Sequence, residues 1–219
     1  MTDVATMTIS VLIVDDHAVV REGYRRLLER SNDVIVSGEA GNAAEAYQAF
    51  SRLRPDVTVM DISLPDVSGI EAMRRLLARD PEARVLMFSI HQEPIFPDRA
   101  FKAGARGYIT KASAPEILVE AVHAVARGDV YISADVANTL ALRGLEGQGD
   151  RMGSLSTREF EIVRLLAAGH SVREIAQRLC LNGKTVANYQ SSIRRKLGAA
   201  TPVQLLRIAA ERGLSGDGA

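Results

Sequence analysis

Cysteine is all but missing from this chain. One thiol, Cys180, stands among 219 residues, so no disulfide can form within the chain and a reducing compartment suits it. Cys180 lies in the apolar run Leu179-Cys180-Leu181 and is expected to be core filling. Trp is absent and Phe and Tyr number five each, in a composition otherwise ordinary for a globular protein. No apolar run approaches the roughly 20 residues that span a bilayer. The opening Met1-Thr-Asp-Val-Ala-Thr has neither the basic start nor the apolar stretch of a secretion signal. A cytoplasmic location without membrane contact is therefore expected. Net charge is also missing, with 27 Lys and Arg against 27 Asp and Glu. The balance is uneven along the chain: residues 150–219 hold eleven basic and six acidic groups, and the first 149 hold sixteen and twenty-one. That asymmetry predicts an acidic module joined to a basic one, the basic one being the candidate for nucleic acid.

What is present is organised around Asp56-Val-Thr-Val-Met-Asp61. The β-branched apolar run reads as a short buried strand, and Asp61 falls at its carboxyl end, the edge where ligand chemistry collects in open α/β folds. Pro65 and Gly69 turn the chain, and Ser68-Gly-Ile-Glu71 has the form of a capping box opening the next helix. The same strand–helix alternation recurs. Ile9 to Val14 form a strand ending in Asp15-Asp16, Val34 to Glu39 a second, and Val85 to Ser89 a fourth. A short fifth ends in Gly107-Tyr-Ile-Thr-Lys111. Asn42 and Ser113 are expected to cap the helices between. Five such units imply a doubly wound, five-stranded parallel sheet, an α/β domain over residues 8–128. Its strand ends bring acidic Asp15, Asp16 and Asp61, the Ser89 hydroxyl and the Lys111 ammonium toward one place.

The chemistry of that set is coherent. Asp61 is the expected nucleophile toward a phosphorus atom. Mg²⁺ held by Asp16 and Asp61, with Asp15 acting through water, offsets the charge of the phosphoryl oxygens, since carboxylate oxygens are the ligands this hard cation prefers. Lys111 and Ser89 meet further phosphoryl oxygens. Phosphoryl transfer needs mainly positioning and charge stabilisation, so this small cast suffices.

Val14-Asp-Asp-His17, Met60-Asp61-Ile-Ser-Leu-Pro65 with Gly69, Ser89, and Gly107-Tyr-Ile-Thr-Lys111 together resemble the receiver domain of two-component response regulators. The resemblance implies an acyl phosphate on Asp61, loaded by a sensor histidine kinase. It implies Mg²⁺ on Asp16, Asp61 and the backbone carbonyl of Ser63, and Ser89 with Tyr108 as a switch pair. In that pair the phosphoryl group draws the Ser89 hydroxyl inward and the Tyr108 ring fills the vacated space. The chain departs from the common pattern at Ala112, where many receivers carry Pro. It departs again at Pro94 and Pro97, which predict a short, late fourth helix near Asp98 to Ala103.

Beyond residue 128 the reading is a linker, residues 129–153, with a possible short helix from Ser133 to Leu142 and then a Gly-rich run from Arg143 to Gly153. Residues 154–214 read as a small all-α domain. Leu155-Ser-Thr-Arg-Glu159 and Ser171-Val-Arg-Glu174 are capping boxes, Gly198 stops a third helix begun near Lys184, and Thr201-Pro202 starts a fourth. Two short helices about a tight turn form a helix-turn-helix arrangement, with the third helix meant for the major groove. Val186, Ile193 and Leu197 should pack inward. Lys184, Thr185, Ala187, Asn188, Ser191, Ser192 and Arg195 are the outward candidates. Asn188 suits base edges, and Lys184, Arg194, Arg195 and Lys196 suit phosphates.

Leu155-Ser-Thr-Arg-Glu159, Glu174-Ile-Ala176, Lys184-Thr-Val186 and Ile193-Arg-Arg-Lys-Leu-Gly198 closely resemble the LuxR-type helix-turn-helix. The whole chain is similar to the NarL/FixJ class of response regulators. This implies a transcription regulator, not an enzyme with external turnover, that binds double-stranded DNA as a homodimer on half-sites about one helical turn apart. Tyr189 stands where a His is frequent, and Ala187 and Ser191 stand where lysine is frequent, which points to weak binding by a single copy.

Overall fold

The computed structural model describes residues 8–65, 67–113, 115–145, 154–179 and 181–211. The chain divides into two compact units, Met1–Glu146 and Gly147–Ala219. In the first, strands and helices alternate: β1 (Ile9–Val14), α1 (Ala18–Leu28), β2 (Val34–Ala40), α2 (Ala43–Leu53), β3 (Val57–Met60), α3 (Gly69–Arg79), β4 (Val85–Ser89), α4 (Ile95–Lys102), β5 (Gly107–Thr110), α5 (Pro115–Ala126), β6 (Tyr131–Ile132) and α6 (Ala134–Leu145).

All neighbouring strands are parallel, in the order β2-β1-β3-β4-β5-β6. The winding reverses between β1 and β3, so the loops that carry Asp15, Asp16 and Asp61 flank the switch point where such sheets open a crevice. Strands covered on both faces have no need to alternate in polarity, and β3, β4 and β5 are buried at every position. On one face Val11, Ile13, Val57, Val59, Leu86, Phe88 and Ile109 meet Leu28 of α1 and Leu118, Val122 and Val125 of α5.

Three sequence expectations need correction here. The sheet has six strands, not five. Two residues are too few to show a period, yet Tyr131 and Ile132 pair with Gly107 and Tyr108. Gly107 admits them, because a Cβ there would lie 3.1 Å from the Tyr131 carbonyl oxygen. The fourth helix starts at Ile95, with Pro94 as its cap residue, and not at Asp98. Pro97 is its third residue, and the first-turn N–H groups of a helix have no intrahelical partner, so a proline there removes nothing. Ser68 does not cap α3. Its hydroxyl is buried without a partner, and Glu71 turns to Arg75 instead. The entry to α3 is set by packing: the Gly69 N–H donates to the Ile62 carbonyl, and Gly69 lies hard against the Asp61 backbone.

The α6 helix also runs to Leu145, taking up Arg143 to Leu145 from the expected Gly-rich run. The rest of that run, residues 146–153, lies outside the described residues, as do Cys180 and residues 212–214.

In the second unit the helices are α7 (Thr157–Ala167), α8 (Val172–Arg178), α9 (Gly183–Leu197) and α10 (Pro202–Glu211). Both capping boxes form: Ser156 and Ser171 each accept from the N–H of the glutamate three residues on, and each glutamate accepts the serine's own N–H. Such caps contribute about 1 kcal/mol each. Asn182 caps α9 through the Thr185 N–H, and Gly198 ends it with φ 71°, a left-handed conformation that favours glycine. Val186, Ile193 and Leu197 line the inner face of α9 and are buried with Phe160, Val163, Ile175 and Leu205.

Candidate functional site

Three strand ends deliver the expected groups to one place. β1 and β3 end one residue short of Asp15 and Asp61, and β5 ends one residue short of Lys111. The Asp15 and Asp61 residues are 2% and 4% exposed, which makes them acids in the interior. Lys111 Nζ donates to Asp15 Oδ2 at 2.5 Å and to Asp61 Oδ2 at 2.6 Å. Asp61 Oδ1 accepts the Ser63 N–H at 3.3 Å. Burial pushes the Asp61 carboxyl above its ordinary value, and the Lys111 ammonium holds that rise in check. Burial works against the Lys111 charge too, but Asp61 and Asp15 outweigh it and raise the pKa. Two buried carboxylates thus share one ammonium, and the site carries surplus negative charge.

Asp16 is the exposed member of the set. His17 Nδ1 lies 2.7 Å from Asp16 Oδ1 and 3.4 Å from Asp15 Oδ1, and the His17 N–H donates to Asp15 Oδ1. Ligand atoms of Asp15, Asp16 and His17 lie within 4.8 Å of one another. The donor set fits a hard divalent cation: the carboxylates of Asp15 and Asp16 are oxygen ligands, and Asp15 and Asp61 together carry more negative charge than the one Lys111 ammonium neutralises. Sequence reasoning missed what steadies this loop. Arg21 donates to the Asp15 carbonyl at 2.5 Å while its guanidinium pairs with Glu39, which Arg25 also holds. Arginine in a helix gives no sign of that role in the sequence.

Ser89 is fully buried at the end of β4, and its hydroxyl accepts the His91 N–H at 3.2 Å. Tyr108 is also fully enclosed. Its hydroxyl donates to the His91 carbonyl at 2.8 Å, and burial raises its pKa strongly. The ring therefore already occupies the interior position that the sequence reading assigned to the loaded state. Beside it, the Thr110 hydroxyl donates to Asp135 at the start of α6 at 2.8 Å, and the Ser133 N–H donates to the Tyr108 carbonyl. That link was invisible in a stretch read as linker.

On α9, Lys184, Ala187, Asn188, Ser191 and Arg195 are exposed, and Thr185 and Arg194 are partly so. Thr185 Oγ1 donates to Asn182, and the Ser191 hydroxyl donates to the Ala187 carbonyl. Ser192 and Lys196 are engaged internally: Ser192 Oγ donates to Glu159 Oε1 at 2.8 Å and Lys196 Nζ to Glu159 Oε2 at 2.6 Å. Burial resists the Glu159 charge, but Lys196, the Ser156 N–H and Ser192 overcome it and hold the carboxyl down to about 2. The helix is thereby tied to α7, and its exposed polar face includes Lys184, Asn188, Ser191 and Arg195.

With this geometry in hand, comparison with known proteins is direct. Residues 11–123 match the response regulator receiver domain, and residues 153–209 match the bacterial regulatory proteins of the luxR family. The chain is 40% identical over 207 residues to the transcriptional activator protein ExaE of Pseudomonas putida, covering 93% of this chain and 97% of the relative. It is 38% identical over 208 residues to the response regulator GacA of Pseudomonas aeruginosa, covering 94% and 97%. Among solved structures it resembles RcsB from Salmonella enterica serovar Typhimurium bound to the promoter P1flhDC in the presence of phosphomimetic BeF3-. That match has TM-score 0.68 and 27% identity, over 93% of this chain and 99% of that one.

Proposed function

This chain belongs to the NarL/FixJ class of response regulators, a receiver domain joined to a LuxR-type DNA-binding domain, and from that premise we propose that Asp61 is the residue whose phosphorylation switches it. The observation that carries this reading is the Lys111 ammonium seated between Asp61 and Asp15 at 2.6 and 2.5 Å.

A phosphohistidine on a sensor kinase is the expected donor. An Asp61 carboxylate oxygen attacks phosphorus, the P–N bond breaks as the P–O bond forms, and the leaving imidazole takes up a proton. The product is an acyl phosphate. Lys111 moves from neutralising a carboxylate to neutralising a phosphoryl oxygen, and Ser89 supplies a hydroxyl to another. Asp15, Asp16, Asp61 and the Ser63 carbonyl would hold Mg²⁺, which when bound offsets charge on the transferred group. The DNA-binding unit meets its operator through α9, with Asn188 toward base edges and Lys184, Arg194 and Arg195 toward phosphates. Two copies on adjacent half-sites supply affinity that so few free cations on one copy do not. No turnover of an external substrate belongs to this scheme, and its setting is the cytoplasm. Among the described residues no helix is long and apolar enough to cross a membrane.

The test is mass spectrometry of the full chain after incubation with a small acyl phosphate donor and Mg²⁺. One phosphoryl group on Asp61, with tighter operator binding, is expected. Phosphorylation elsewhere, or none, sinks the assignment.

A further inference from the structure

Beyond the groups that meet a phosphoryl oxygen, one buried residue touches Ser63, Ser89 and Tyr108 together. The His91 N–H donates to the Ser89 hydroxyl at 3.2 Å, and its carbonyl accepts from the Tyr108 hydroxyl at 2.8 Å. Its ring Nε2 lies 3.0 Å from the Ser63 hydroxyl. The ring stacks on Phe96 of α4, with centroids 4.1 Å apart and planes 12° from parallel. His91 is 4% exposed and Phe96 is fully buried. Three hydroxyls from three different segments thus close on one residue, whose ring also has Nδ1 3.9 Å from Glu93 Oε2 and one face on the first turn of a helix.

That helix depends on the contact. α4 has no side-chain cap, and its cap residue is Pro94. Its start is held by the Phe96 N–H to the Glu93 carbonyl, the Asp98 N–H to the Pro94 carbonyl and the stack of Phe96 on His91. A helix entered this way takes its position from the ring beneath it.

We infer that His91 is a positioning residue that carries the state of Asp61 to α4 through its Ser63 and Ser89 hydrogen bonds. The inference rests on Asp61 being the phosphoacceptor. A phosphoryl group on Asp61 brings strong oxygen acceptors beside two hydroxyls that now serve His91. Ser63 is two residues from Asp61, and its N–H is already on Asp61 Oδ1. When either hydroxyl turns toward the phosphoryl group, His91 must follow or lose a buried partner, and an unmet buried group is costly. If it follows, it takes the acceptor of Tyr108 and the support of Phe96 with it.

The test measures amide hydrogen exchange of α4 in the full chain, with Mg²⁺, before and after loading with beryllofluoride. A parallel acyl phosphate reaction is read by mass for phosphorylation of Asp61. Three variants separate the contacts. His91→Phe keeps the stack and loses the Ser63 bond. His91→Gln places an amide near the Nε2 position and loses the stack. Ser63→Ala removes the bond from the other side without touching the buried ring. In the unaltered chain, loading should change α4 exchange. In His91→Phe and Ser63→Ala that change, taken per loaded Asp61, should fall at least two-fold, and His91→Gln should retain more of it than His91→Phe. A full response in Ser63→Ala or His91→Phe overturns the inference and leaves the phosphoacceptor assignment standing. A loaded chain with no α4 response does the same. No mass increase on Asp61 overturns both. Should His91→Phe fail to fold, Ser63→Ala alone decides.

Discussion

Lys111 Nζ stands 2.6 Å from Asp61 Oδ2, across fifty residues of chain, and the same ammonium reaches Asp15. One cation between two interior carboxylates makes the resting site a buried ion cluster, and such clusters are asymmetric in their energetics: removing one partner strands the others' charge. Lys111→Ala should therefore destabilise the metal-free chain by about 3–5 kcal/mol. Added Mg²⁺ should restore most of that on the proposed site, whose carboxylates Asp15, Asp16 and Asp61 the variant keeps. Thermal unfolding with and without Mg²⁺ checks both halves, and a variant indifferent to Mg²⁺ would place the metal elsewhere.

Asp61→Asn should behave in the opposite sense. The folded-state pKa of Asp61 is raised by burial, so at neutral pH its ionised form costs stability. The sign follows from linkage: a carboxyl whose folded pKa exceeds its unfolded one favours folding at low pH and loses that contribution as pH rises through the folded value. The amide carries no such charge. The variant should fold and be at least as stable as the parent at pH 7 by urea denaturation, while taking up no phosphoryl group. A large loss of stability would make Asp61 a structural residue.

Gly69→Ala tests how the chain leaves the site. An added Cβ would fall 1.9 Å from the Asp61 carbonyl oxygen and 3.1 Å from the Ile62 Cα, and backbone atoms cannot step aside as a side chain can. Overpacking of this kind costs about 1–3 kcal/mol or more. The loss should come with slower loading of Asp61, since the displaced atoms are that residue's own backbone. Normal stability and normal loading would show that α3 shifts freely.

Much of this was legible from residues alone, because strand ends are marked by where apolar β-branched runs meet charge. Asp15, Asp61 and Lys111 sit one residue beyond β1, β3 and β5, and their convergence follows from a parallel sheet wound about a switch point. The capping boxes at Ser156 and Ser171 were legible because a cap is local chemistry. Ser68 carries the same pattern and fails, because tertiary packing at Gly69 sets that turn. β6 escaped notice because two residues have no period, and α4 was placed late because a proline disfavours helix in the residue before it, a bias that Phe96, helical before Pro97, overcomes. His91 gave no signal at all: the contacts of its ring with Ser63 and Phe96 and of its backbone with Ser89 and Tyr108 are assembled only by the fold.

On the helical unit, Arg195 is exposed on α9. Arg195→Ala should weaken binding to operator and to unrelated duplex alike, with the salt dependence losing about 0.9 in log–log slope, as for one phosphate contact. Titrations at several salt concentrations on both duplexes check this. A loss confined to one base pair of the operator would assign Arg195 to base readout.

Glu159 gives the last prediction, and it concerns how α9 is held for DNA. Its carboxylate takes hydrogen bonds from Ser192 and Lys196 of α9 and from the Ser156 N–H at the head of α7, and these hold its pKa down to about 2, against an ordinary 4.5. A depressed carboxyl contributes stability that is present above its unfolded value and lost as pH falls through the folded one. At about 1.4 kcal/mol per pH unit, discounted for the partly exposed Lys196, the contribution is on the order of 2–3 kcal/mol at neutral pH. It should fade from about pH 4.5 toward pH 2. Glu159→Gln cannot ionise, so it should be the less stable form at pH 7, and the difference should close as the pH falls below 4. Exchange of α9 amides in the full chain, compared at matched intrinsic rates between pH 7 and pH 3, follows that gap. A difference that stays constant over this range would mean that Glu159 acts through packing, and that the ion pair with Lys196 does not hold the helix in place.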